Sequence, residues 1–211
     1  MDTSIHVSEI FKASWGYTKS QIWILAGLVI GFMLIAFTVG IFAMPMQGSS
    51  GGTAFSYLIS ALLSAIFYVG YIKNTFQTMD GEEPQFSAYL QSGRKIANYF
   101  LANILFGVVV CIGTLLFVIP GIYLGIRLQF FGQSIVDEDT SAIQALKQSW
   151  ALTKGKVMPL FLLLLTQILI LIIGLILFGI GIFVAIPLIL MMQSYTYRLL
   201  SNPQIYEEMQ I

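Results

Sequence analysis

Residues 157–197 read VMPLFLLLLTQILILIIGLILFGIGIFVAIPLILMMQSYTY, and none of them is Asp, Glu, Lys or Arg. A helix needs about 20 apolar residues, at about 1.5 Å rise each, to cross a hydrocarbon layer roughly 30 Å thick. The stretch is long enough for two such helices. Gly179 and Gly181, in Phe178-Gly179-Ile180-Gly181, supply a turn between them. The expected element is a membrane hairpin with spans near 157–178 and 181–200.

Two other charge-free stretches, 20–72 and 96–126, extend the pattern. Pro45 and the run Gln47-Gly48-Ser49-Ser50-Gly51-Gly52 divide the first into spans near 20–44 and 54–77. The middle stretch is shorter. It makes a hairpin, with spans near 96–118 and 121–136, if Pro120-Gly121 is the turn and the second helix runs past Arg127 to Val136. A re-entrant hairpin over 96–136 is the alternative. The expectation is an all-α integral membrane protein, with six transmembrane helices as three hairpins in a single membrane domain over 1–211.

Composition agrees with that class. Of 211 residues only 9% are charged and 57% are hydrophobic, and mean hydropathy is +0.86. A soluble domain carries roughly a quarter charged residues. Ten basic residues balance ten acidic ones, so no nucleic-acid partner is implied. Cys111 is alone and cannot form an internal disulfide; within its apolar run it reads as a small hydrophobe. The first apolar stretch runs longer than a signal-peptide core, so none is expected.

On this reading every Lys and Arg lies on the side that holds both termini, and the three opposite turns carry none. Basic residues stay in the cytoplasm, which places both termini there.

The cytoplasmic segments repeat a phrase: KASWGYTK at 12–19 and KQSWALTK at 147–154. Over 5–19 a helix would place Ile10, Phe11, Ser14, Trp15 and Thr18 on one face, with Lys12 and Lys19 opposite. Over 141–155 it would place Ile143, Leu146, Ser149, Trp150 and Thr153 against Lys147 and Lys154. Ser141 and Gln144 have capping-box spacing, and Gly155 can end the helix. Such helices lie in the headgroup layer, anchored by Trp15, Lys12, Lys19, Trp150, Lys147 and Lys154. A third helix of this kind is expected near 85–95, after Gly81-Glu82-Glu83-Pro84. Each hairpin would then be launched by an amphipathic helix, an internal repeat of three units.

The runs Phe117-Val118-Ile119-Pro120-Gly121-Ile122-Tyr123, Val136-Asp137-Glu138-Asp139 and Ala145-Leu146-Lys147-Gln148-Ser149-Trp150-Ala151-Leu152-Thr153-Lys154-Gly155 carry a resemblance. They resemble the membrane domain fused ahead of the catalytic barrel in some bacterial glycerophosphodiester phosphodiesterases, and its stand-alone relatives. The resemblance covers roughly 60–200 and is densest at 113–155. It implies a bacterial cytoplasmic-membrane protein. Phosphodiesterase activity does not carry over, because in that family the barrel holds the chemistry.

No HExxH, GxSxG, P-loop or CxxC pattern occurs, so neither a catalytic centre nor a cofactor is expected. The acidic clusters Asp80/Glu82/Glu83 and Asp137/Glu138/Asp139 read as solvated loop and helix start rather than as a metal site. Arg127 stands out. A charge near the bilayer centre costs on the order of 2.5–3.5 kcal/mol on insertion scales, and no span holds a carboxylate to pair with it. Asn103, Gln167 and Gln193 are at similar depth, and the four would form an intramembrane polar cluster able to bind an anionic headgroup or solute. Snorkelling of Arg127, or helix–helix glue, are the plainer readings.

Two functions follow as expectations. One is a non-enzymatic scaffold or accessory subunit of a membrane complex, with a membrane-protein partner. The other is a transporter or lipid-handling protein for an anionic amphiphile or solute, with the bilayer and an anionic lipid as partners.

Overall fold

A computed structural model describes residues 6–177 and 179–202. Ile5, where the first amphipathic helix was expected to begin, and Phe178, in the last turn, lie outside the described residues. Among the described residues the chain is all-helical: α1 (Val7–Ser20), α2 (Ile22–Ala43), α3 (Ser50–Met79), α4 (Gly93–Leu116), α5 (Val118–Leu128), α6 (Phe131–Glu138), α7 (Ala142–Leu152), α8 (Val157–Ile176) and α9 (Ile182–Ser201). Five of these, α2, α3, α4, α8 and α9, are long and apolar enough to cross a membrane.

The long helices form two layers. In α9, 61% of the apolar window is buried, and in α3 39%, against 11% in α2. The inner helices α3 and α9 pack on each other, and α6 packs on α3. Outside them, α2 lies against α3 and α9, α4 against α3, α5 and α6, and α8 against α9 and α5. The core joins Ile72 and Phe76 of α3, Phe130 and Ile135 beside and within α6, and Met192 and Tyr197 of α9.

The fourth expected span, 121–136, is not one helix. Its residues fall in two short helices, α5 and α6, separated at Gln129 and Phe130. Eleven residues of α helix reach only about 16 Å, half a bilayer. The turn before α5 also differs from expectation. Phe117 adopts extended backbone and ends α4, while Pro120 lies in the first turn of α5, where a missing N–H is tolerated.

Glycine permits that tight turn. A Cβ on Gly121 would stand 2.1 Å from Thr114 Oγ1 and 2.9 Å from Thr114 Cα. The α8–α9 turn uses the same device, with a Cβ on Gly181 falling 2.8 Å from Gly174 Cα.

The helix expected over 85–95 is absent. Phe86–Tyr89 make a single 3-10 turn, and Ser92 caps α4, accepting a hydrogen bond from the Lys95 N–H. Arg94 and Lys95 therefore belong to α4. The segment is drawn onto α3 instead. The Tyr89 ring occupies the space left by Gly70, where a Cβ would lie 2.3 Å from Tyr89 Cδ1, and the Gln85 N–H donates to Asn74 Oδ1 at 2.8 Å.

The Phe86–Tyr89 turn lies on α3, and α7 lies on α4, α5 and α6. α1 lies on α9, the last of the described helices.

Candidate functional site

The α5–α6 break is held from α7. Ser149, fully buried, accepts a hydrogen bond from the Phe130 N–H at 3.0 Å and donates to the Arg127 carbonyl at 3.0 Å. The Thr153 hydroxyl lies 3.0 Å from the same carbonyl and 2.8 Å from the Ser149 carbonyl. Its single proton serves one of them at a time. Backbone groups freed where α5 ends thus find side-chain partners, as buried backbone must. Ser141, in contrast, makes no side-chain cap at the start of α7, so the expected capping box is absent. At the far end of α6, Lys95 Nζ donates to the Val136 carbonyl at 2.9 Å, a cation at a helix C-terminus.

With its carbonyl fixed, Arg127 turns its side chain toward α7. Nη2 donates to the Trp150 carbonyl at 2.7 Å. The guanidinium carbon sits 4.1 Å from the centroid of a Trp150 ring and 5.9 Å from Tyr123. A desolvated cation–π contact of this kind contributes on the order of 2 kcal/mol. Arg127 is only 4% exposed, and its Nε–H is buried without a partner. No carboxylate reaches it: among the described residues the ion pair is Arg198 with Asp80.

Arg127 lines an open groove of about 660 Å³ with Tyr123, Trp150, Lys154, Val157 and Met158. Two cations face this groove and no acid lines it. A buried, unpaired guanidinium in such a place favours an anion.

The other members of the expected polar cluster are elsewhere. Asn103 is exposed on α4. Gln167 is buried on α8 with its Nε2 unpartnered, and Gln193 lines a separate cleft of about 340 Å³ with Gln129 and Thr114. None of the three hydrogen-bonds to Arg127. The reason is the break after α5, which points Arg127 at the Trp150 carbonyl and ring.

Of the expected anchors, Trp150 and Lys154 line the Arg127 groove, and Lys147 is exposed on α7. On α1, Trp15 is 38% exposed, Lys19 is exposed, and Lys12 borders a second cavity of about 500 Å³ with Tyr17 and Tyr195. Phe11 and Trp15 do not share the protein-facing side of α1, which belongs to Ile10, Ser14 and Thr18.

A second polar network went unread in the sequence. Arg198 of α9 forms a two-pronged pair with Asp80, at the end of α3. Next to it, Tyr197 donates to Glu138 Oε1 at 2.9 Å and Gln148 donates to Glu138 Oε2 at 2.6 Å. Asp137 is only partly solvated. That desolvation, with Glu138 and Asp80 nearby, lifts its carboxyl above the ordinary value, against the pull of Arg198. The spacing of Asp80, Glu138 and Arg198 along the chain gave no hint of this. Their shared place at helix ends was the available signal. Among the described residues no three His, Cys, Asp or Glu side chains are grouped to hold a metal ion.

Comparison with known proteins finds Uncharacterized protein Rv2560 of Mycobacterium tuberculosis (strain ATCC 25618 / H37Rv), 29% identical over 149 residues, 70% of this chain and 46% of the relative. Uncharacterized protein Mb2590 of Mycobacterium bovis (strain ATCC BAA-935 / AF2122/97) is 28% identical over the same shares. The chain thus spans about half the length of the curated relatives it matches. No solved structure matches. Nothing in these matches ties the chain to glycerophosphodiester phosphodiesterases. Residues 86–209, more than half of the chain and all of α4 to α9, match the domain of unknown function DUF7847, and the chain belongs to that family.

Proposed function

We propose that this chain is an integral membrane protein that binds an anionic amphiphile at the Arg127 groove. In this reading α2, α3, α4, α8 and α9 cross the bilayer, and α5 with α6 as far as Val136 forms the fourth of six crossings, arranged as three hairpins. Both termini lie in the cytoplasm of a bacterium, and α1 and α7 rest in the headgroup layer. The recurring phrase at 12–19 and 147–154, with a fully buried serine at the same place in each copy, supports an internal repeat. No catalytic role is assigned to the groove.

The observation that carries the reading is Arg127 itself, buried, without a carboxylate, and facing a groove that also holds Lys154. The test is native mass spectrometry of the protein purified in mild detergent, beside an Arg127→Gln variant. The wild type should retain one class of anionic lipid, and the variant should lose it. Equal retention by both proteins would refute the reading.

A second reading has its own support. The relatives are about twice as long as the matched region, so this unit is carried within larger polypeptides there. That suits a scaffold or accessory subunit. A stoichiometric protein partner that stays bound to Arg127→Gln, with no lipid retained by either protein, would favour it.

A further inference from the structure

Proceeding from that reading of the groove, we infer that its ligand carries a phosphate monoester, a terminal phosphate with three free oxygens and close to two negative charges. The inference rests on the donors the groove assembles.

Arg127 offers its buried, unpartnered Nε–H and the Nη protons left over, since only one Nη2 proton goes to the Trp150 carbonyl. Lys154, exposed at the rim, adds a mobile ammonium. The third contributor is the backbone. Gly155, at φ +76, turns the chain between α7 and α8 so that the first residues of α8, Val157 and Met158, line the groove. α8 is 20 residues long and has no side-chain cap. The N–H groups of Val157 and Met158 make no hydrogen bond among the described residues, and Pro159 has no N–H to offer. A helix start with free N–H groups carries about half a positive charge and receives phosphate oxygens readily.

Charge and oxygen count then select the ligand. Two side-chain cations and a helix start, with no acid among the lining residues, are matched by about two negative charges. A phosphomonoester near neutral pH carries roughly −1.5 to −2 and three strong acceptor oxygens. A phosphodiester carries one charge and two free oxygens, which Arg127 alone would satisfy. Val157, Met158 and Tyr123 make the remaining wall apolar or aromatic. The phosphate can belong to a lipid headgroup or stand free, and the experiment separates the two.

The full chain is placed in phosphatidylcholine nanodiscs doped with either phosphatidate or phosphatidylglycerol, and bound lipid is counted by native mass spectrometry. Phosphatidate should be retained on the order of tenfold over phosphatidylglycerol, the worth of one further charge-assisted hydrogen bond. Lys154→Gln should remove most of that preference while both lipids still bind. Lys154→Arg should restore it. Lys154 is exposed, so neither variant disturbs the core.

If inorganic phosphate displaces phosphatidate and binds as well alone, the monoester assignment stands and the source is a free phosphate. Equal retention of both lipids, unchanged by Lys154→Gln but lost in Arg127→Gln, overturns the monoester and leaves the anionic amphiphile. Retention that ignores Arg127→Gln overturns both.

Discussion

Two serines in the repeated phrase should answer the same substitution in opposite ways. Ser149 and Ser14 are both fully buried. Ser149 bridges the Phe130 N–H and the Arg127 carbonyl, each at 3.0 Å, whereas the Ser14 hydroxyl has no partner. In Ser149→Ala the Phe130 amide is stranded at a buried helix break. The Arg127 carbonyl keeps Thr153 as a donor. One stranded buried donor costs about 1–3 kcal/mol. In Ser14→Ala a hydroxyl that found no partner on folding is removed, so the change is neutral or stabilising. Unfolding in detergent micelles, by heat or SDS, gives the stability difference. Amide exchange at Phe130 gives the local one and should accelerate by about 5- to 150-fold in Ser149→Ala, the equivalent of 1–3 kcal/mol. Equal losses in the two variants, or a Phe130 amide that stays protected, would refute the assignment of Ser149 as the clamp on the break.

Gly121→Ala should destabilise the α4–α5 turn by about 1–3 kcal/mol, because the new methyl meets Thr114 Oγ1 and Cα; thermal unfolding measures it, and a silent variant would contradict the packing. Asp137→Asn should stabilise the protein near neutral pH. The folded carboxyl titrates above its ordinary value of 3.8, so the stability its neutral form confers is complete below that value and is lost as pH rises through the raised one. Melting curves of the two proteins should converge on acidification and separate above it. A cysteine placed at Ser92, the cap of α4, should react with an impermeant thiol reagent only after lysis, and reaction in intact cells would reverse the proposed orientation.

The long apolar helices were legible because charge is excluded from hydrocarbon so strictly that 157–197 can be divided by its glycines alone. What escaped was set by tertiary partners. The α5–α6 break depends on two hydroxyls supplied some 20 residues later, so 121–136 looked continuous. The helix expected over 85–95 had a plausible apolar stripe, but the space above Gly70 and the Asn74 acceptor claimed Tyr89 and Gln85. Arg127 was recognised as a charge in need of explanation, and Trp150 and Lys154 as notable side chains. Their meeting in one groove was hidden because depth along a helix says nothing of direction around it.

The seat of α1 on α9 also sets an order of events during synthesis. Among the described residues every other helix lies between these two. As translation proceeds, the face of α1 that bears Ile10, Ser14 and Thr18 lacks its main partner until α9 has been made, with only smaller contacts to α2, α3 and α8 before then. An amphipathic segment in that position needs a temporary home, and on the proposed membrane reading the bilayer surface would offer one to its Trp15 and lysines. Closing the molecule is then a late, long-range step of the slow kind. A chain truncated before α9 should leave α1 open to protease or to a misplaced partner, while the contact between α7 and the α5–α6 pair is already formed.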